Sequence, residues 1–439
     1  MPAPLLTIET TPALPPTAEV VVIGGGIVGV CAAYFLASRG VDVVLLEKGR
    51  VGAEQSSRNW GWCRQQNRDA RELPMATRSL ALWDRLTQEI GPQIGFRRCG
   101  LLYLSNDEAE IETWSRWRDF ARGEGVVTHM LSATEATERA GATGKSWKGG
   151  VFSPSDGIAD PSAAAPMIAK GIEARGGRVV QNCAARGLEV AGGRVSGVVT
   201  EKGVIRTPLV VMAGGAWASS FCRQVNLRFP QASVRASILS VSPAPDIPDV
   251  LHTARVSITA RANGGHTLAI SGKARVDPTP QMLRFGSTFI PMFLKRHRSL
   301  APGGLEGVRA GHETRARWSL DRPTPMERMR ILDPRPDSAQ VEETLGRARE
   351  LLPAFQHSKV TAAWAGYIDS TPDGVPAIGE TRLPGFILAA GFSGHGFGIG
   401  PGAGEMIADL VTGSAPALDP KPYSPARFAQ SSWGKVADF

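Results

Sequence analysis

The chain has 439 residues, 42% of them hydrophobic and 21% charged, which is enough for two domains with separate buried cores and excludes a disordered chain. No apolar run reaches the roughly 18 residues of a membrane span, and the Pro/Thr-rich lead of residues 1–17 lacks the basic start and apolar block of a secretory signal, so a cytoplasmic protein is expected. The net charge of +8 is spread along the chain instead of gathered with aromatics in a tract; this argues against nucleic acid and leaves a field that draws in small carboxylates and diphosphates.

In chain order, Val20–Ile23 is a short apolar run of the kind that forms a strand buried on both faces. Gly24, Gly26 and Gly29 follow in G-x-G-x-x-G spacing and open a helical stretch closed by Gly40; a second apolar run, residues 41–46, comes next. Strand, helix and strand within about thirty residues make one βαβ unit. The glycines serve a tight turn, close approach of backbone to a pyrophosphate, and helix-on-strand packing, while the amides of Ile27 and Val28 open the helix toward the phosphates. Glu47, 18 residues beyond Gly29, ends the second strand where an acid accepts from a ribose hydroxyl, with Lys48 beside it. A glycine-rich turn without a ligand is the bland alternative, and the register of strand, helix and acid favours a dinucleotide. The fingerprint does not separate NAD from FAD.

Cys31, Cys63, Cys99, Cys183 and Cys222 contain no CxxC pair, which fits reduced thiols and gives no metal set. Residues 80–143 and 229–359 carry polar helices, Pro-containing breaks and alternating strands such as 236–241 and 266–270. Asp160 and Pro161 read as N-cap and first position of a helix reaching Arg175, before a strand at 178–181. Apolar runs at Leu209–Met212 and Phe386–Ala390 complete a parallel sheet of the doubly wound sort. The glycine run 394–400 precedes a helix expected over about 403–411.

Five segments occur in order: EQSSRNWGWCRQQ at 54–66, Asp160-Pro161, VVMAGGAW at 210–217, TPDGVPAIG at 371–379, and GFSGHGFGIGPGAGE at 391–405. That series resembles the FAD-dependent oxidoreductases of the D-amino-acid, glycine and sarcosine oxidase family over nearly the whole chain. The resemblance implies an α/β, Rossmann-like FAD domain built from residues 18–82, 150–228 and 360–430. An inserted α+β substrate domain, on a mixed or antiparallel sheet, would take 83–149 and 229–359. By the same resemblance Ser56, Ser57, Arg58, Asn59, Trp60 and Gly61 wrap the flavin and its phosphates. Ala185 lies near the adenine, and Ala213, Gly214 and Trp217 pass under the adenosine half. Gly394, His395, Gly396, Phe397 and Gly398 offer amides to the flavin ring. No cysteine follows Cys222, so the late covalent link of sarcosine oxidases is absent and FAD is expected to be non-covalent.

The family's chemistry implies hydride transfer to flavin N5 from a carbon bearing an amine, most simply in a D-amino or N-alkyl amino acid, with oxygen or a quinone as acceptor. An arginine should hold the substrate carboxylate. Arg64, Arg284, Arg315 and Arg317 are the candidates, each with a surface role as the alternative. Where many relatives carry such an arginine, three residues before the TPD run, this chain has Ile368 between Tyr367 and Asp369. Tyr-Ile-Asp resembles γ-glutamylputrescine-oxidising enzymes, in which case Asp369 would bind an ammonium or else cap a turn. His266 or Thr267 stands near the place of the oxygen-activating lysine, and His395 is a flavin neighbour or a turn cap. EQSSR also resembles bacterial L-amino-acid deaminases, whose N-terminal membrane helix is not expected here. The remaining alternatives are an NAD-dependent dehydrogenase and a flavin-binding subunit of a larger oxidoreductase; oligomeric state is left open.

Overall fold

A computed structural model describes residues 3–310, 317–429 and 436–437. Its first layer is a six-stranded sheet in the spatial order Ala377–Glu380, Phe386–Ala390, Leu209–Met212, Val20–Ile23, Val43–Leu46, Arg178–Val180. All neighbours are parallel except the edge pair of Ala377–Glu380 with Phe386–Ala390. The inner strands are buried on both faces, which is why they read as unbroken Val/Ile/Leu runs instead of alternating. Helices Ile27–Ala37, Ala164–Glu173 and Gly396–Thr412 cover one face. A three-stranded antiparallel sheet, Ala185–Ala191, Arg194–Thr200 and Gly203–Arg206, covers the other, where a doubly wound reading expects helices.

The second layer is a ten-stranded mixed sheet. Its longest pairing joins Ala232–Val241 to Val360–Ser370 antiparallel, and it also takes in Leu101–Ser105 and Gly149–Ser153. By sheet membership, then, this layer reaches past the boundaries 149/150 and 359/360 drawn from the sequence. Helix Ser338–Leu351 packs on its outer face through Ala348 and Leu351, with Phe355 just beyond.

Two helix boundaries differ from expectation. Asp160 caps a turn, its side chain accepting from the Ser162 amide at 2.8 Å, and the helix starts only at Ala164. The last helix starts at Gly396, inside the glycine run. There the glycines are packing surfaces: a methyl group at Gly400 would meet Ile27 at 2.9 Å and one at Gly404 would meet Cys31 at 2.5 Å, while Gly398 lies against the backbone of Trp62. Glycine costs helix propensity, but here it lets two helices and a strand close on one another.

Candidate functional site

A cavity with about 1320 Å³ of empty space, including its open mouth, runs along the carboxyl ends of the parallel strands. Ligands of open α/β sheets bind at this edge. The first glycine turn forms its floor. Gly24 has φ +111°, and a Cβ there would meet the Ala213 carbonyl oxygen at 2.4 Å; a Cβ on Gly29 would meet the Gly24 carbonyl oxygen at 1.9 Å. Glu47 fixes the turn from the side, its two oxygens accepting from the amides of Gly25 at 2.8 Å and Gly49 at 2.7 Å. Burial pushes its carboxyl above the ordinary range. Ser56 Oγ accepts from the Ile27 amide at 2.8 Å, so the 54–59 loop sits on the helix N-terminus. Lys48 bonds Glu54 at 2.5 Å and lies 4.5 Å over the Trp217 ring.

Gly24, Gly26, Ile27, Val28, Glu47, Lys48, Ser56, Arg58, Asn59, Ala185, Ala213, Gly214, Trp217, Gly394, Gly396 and Phe397 all line this one cavity, although they come from six stretches of the chain. Gly29, Ser57, Trp60, Gly61, His395 and Gly398 do not line it. Trp60 stacks edge-on to Trp62 at 4.8 Å, and Gly61 accepts from the Ala159 amide, so these residues hold the loop's shape. The expected place of Arg58 beside a diphosphate is corrected: its guanidinium is committed to Ala53 O, Ala365 O and Asp333, the last at 2.6 Å. Sequence reasoning missed Glu54, Gln55, Met326, Leu332 and Phe392 in the lining. The Thr324–Glu327 capping box that seats Met326 is legible as T-x-x-E; its distance from the glycine turn hid its destination.

Beyond Gly394 the cavity borders a buried polar cluster. His395 Nδ1 meets Glu72 Oε2 at 2.8 Å, and burial, Arg68 and Arg64 lower the imidazole's pKa against the pull of Glu72, keeping it neutral. Asp156 accepts from the amides of Gln65 and Gln66, and burial pushes its pKa up to about 6. Facing this loop are Trp62, Tyr103 and His252, with centroids 6.0 Å apart for Trp62 and Tyr103 and 4.5 Å for Tyr103 and His252. Trp62 Nε1 donates to Thr259 Oγ1 at 2.8 Å and ties the loop to the second sheet.

The other expected catalytic residues divide. Arg64 is in the cluster, half-buried, donating to the Gln66 carbonyl. Tyr367 and Asp369 line the cavity, but the Tyr367 hydroxyl donates to Asp277 at 2.9 Å, itself paired with Arg235 at 2.7 Å. Asp369 Oδ2 accepts from the Gly391 amide at 2.7 Å and from Gln231 at 2.9 Å, so it caps the turn into the last glycine run. His266 is corrected: it packs against Phe355 at 5.3 Å on the helix-covered face of the second sheet, while Thr267 points the opposite way. Arg284 is exposed beside Phe285, and Arg317 is exposed and bonded to Asn226, so neither reaches the cavity. Arg315 lies outside the described residues.

Residues 19–410 match the family model described as FAD dependent oxidoreductase. The chain belongs to that family. Among relatives of this family member, glycine oxidase from Pseudomonas putida is 28% identical over 93% of this chain and 98% of its own length. Mitochondrial sarcosine dehydrogenase from Mus musculus is 27% identical over 95% of this chain, which spans only 42% of that larger protein. The solved L-amino acid deaminase from Proteus myxofaciens is 29% identical, with a TM-score of 0.91 over 97% of both chains. FAD is this family's cofactor, and the cavity suits it. A Cβ at Gly24 would strike the Ala213 carbonyl oxygen and one at Gly214 the Met212 side chain, so bare backbone lines the cradle there, and the lining residue Gln55 keeps a buried Oε1 without a partner among the described residues. The first glycine turn and Ser56 would hold the diphosphate, Glu47 the ribose, and the amides at Gly394 and Gly396 the ring. No helix among the described residues is long and apolar enough to cross a membrane.

Proposed function

We propose that this chain oxidises the C–N bond of an amino acid or N-alkyl amino acid that keeps its free carboxylate. Arg64 carries the reading: a half-buried guanidinium in the polar cluster around His395, outside the cavity lining itself, with only a backbone carbonyl as hydrogen-bond partner and no ion pair to a carboxylate among the described residues. A desolvated guanidinium is a strong site for a planar anion. Asp369 speaks against the diamine alternative, because its Oδ2 already serves Gly391 and Gln231 and its pKa is raised by burial, which disfavours an ionised partner for ammonium.

Bound FAD supplies the hydride acceptor for the carbon that bears the nitrogen. The protein anchors the carboxylate through Arg64 and excludes water with Trp62, Tyr103 and His252. A neutral His395, fixed by Glu72 at 2.8 Å, keeps positive charge away from the entering amine. No general base is required when the amine arrives unprotonated. The imine that leaves hydrolyses to an oxo acid, or to an aldehyde and an amine.

An N-alkyl or D-amino acid is the first reading, in line with the glycine and sarcosine relatives. An L-amino acid is the second, supported by the TM-score of 0.91 to a protein named L-amino acid deaminase. Anaerobic mixing of the FAD-loaded protein with sarcosine, glycine, D- and L-amino acids and their decarboxylated amines tests both. At least one carboxylate-bearing compound should bleach the flavin, about 100-fold more efficiently than its amine, as loss of a charge-assisted bond entails. Bleaching by amines or diamines alone would overturn the proposal.

A further inference from the structure

Arg68 stands four residues beyond Arg64 and is only 3% exposed. Its Nε donates to the Arg64 carbonyl at 3.3 Å, while its Nη1 is buried without a hydrogen-bond partner among the described residues. The acids of the same region are spent elsewhere. Asp69 pairs with Arg71 at 2.8 Å, Glu72 holds His395 at 2.8 Å, and Asp156 takes two loop amides. Glu72 also has a buried, unbonded oxygen, Oε1, which balances one guanidinium at longer range. The two cations oppose each other: burial and the charge of Arg64 both disfavour the charged form of the Arg68 guanidinium. A buried donor left open is costly, and two such cations side by side repel one another unless an anion joins them.

Resting on the carboxylate reading of Arg64, we propose that Arg68 receives a second carboxylate, so that the substrate is a dicarboxylic amine: an acidic amino acid or an N-carboxyalkyl amino acid. The chain that separates the two acids would run along the turn from Arg64 to Arg68. Arg64 fixes one carboxylate and thereby the reacting carbon; Arg68 fixes the other and sets the length accepted. Arg68 is thus a specificity residue and takes no part in moving the hydride.

The test uses the FAD-loaded full chain under anaerobic conditions, with flavin bleaching measured for an acidic amino acid, its side-chain amide and a monocarboxylic analogue. The dicarboxylate should be preferred by about 10- to 100-fold over both. Arg68→Met should raise KM for the dicarboxylate about 10-fold more than it raises KM for the monocarboxylate, and Arg68→Lys should restore part of that difference. Should Arg68→Met fail to fold, unreactive dicarboxylates such as succinate, titrated into the wild-type protein, should perturb the flavin spectrum at lower concentration than acetate. Equal response to one and two carboxylates, equal use of acid and amide, or equal damage to all substrates by Arg68→Met would overturn the proposal and leave the Arg64 reading standing. A protein bleached by no carboxylate-bearing amine would instead remove the Arg64 reading.

Discussion

A methyl group at Gly29 would come within 1.9 Å of the Gly24 carbonyl oxygen, which turns a sequence spacing into a steric requirement. Gly29→Ala should weaken FAD binding by about 10- to 100-fold, as expected for overpacking, and yield a pale protein; titration with FAD followed by fluorescence quenching measures it. Gly29 and Glu47 were legible because their partners, Gly24, Gly25 and Gly49, lie within one βαβ unit. Arg58 was not, since Asp333 and Ala365 reach it from 275 and 307 residues away. Nor were Arg68 and Glu72: the RDARE stretch carries no motif, and Glu72 meets His395 from 323 residues away. His252 gives a pH signature: burial and Arg64 lower its pKa from 6.5 to about 3. The unfolded chain therefore takes up the proton first, so this contribution to stability is complete above pH 6.5 and is lost as pH falls toward 3, by at most about 1.4 kcal/mol per pH unit. Asp156, pushed up to about 6, acts in the opposite sense. Comparing thermal melts of wild type and His252→Gln across that range isolates the histidine, and the variant should show the shallower acid slope.

Elements were legible where hydrophobic runs are short and bounded by glycine: Leu209–Met212 and Phe386–Ala390 form the expected strands. The last helix was misjudged because six glycines between Gly394 and Gly404 read as a loop, whereas Gly400 and Gly404 are the contact with the first helix. Gly404→Ala should cost about 1–3 kcal/mol, lowering Tm by several degrees in calorimetry. Gly346, on helix Ser338–Leu351 with nothing within 4 Å of its Cβ position, serves as the control. Gly346→Ala should be neutral or raise Tm, following helix propensity. Val360–Ser370 shows the limit of motif reading. It runs directly into the TPD segment, yet its pairing with Ala232–Val241 puts it in the second sheet, a fact carried by long-range register that no local pattern records.

At the scale of the molecule, the two sheets meet across the 54–72 loop, which gives Ser56 to the glycine turn, Trp62 to Thr259 of the second sheet, and Arg64 to the border between them. The segment 325–332 also brings Met326 and Leu332 to the cavity, packed in the core of the first sheet. A cofactor spanning these parts should stabilise the whole chain. Stripping FAD should lower Tm, and excess FAD should restore it with a concentration dependence set by binding. The most direct test of the central claim, oxidation at the carbon bearing the nitrogen, is anaerobic single-turnover flavin reduction with a saturating carboxylate-bearing substrate, protiated or deuterated at that carbon. The account predicts that deuterium slows bleaching several-fold in the wild-type protein. Identical rates with the two isotopes would contradict it.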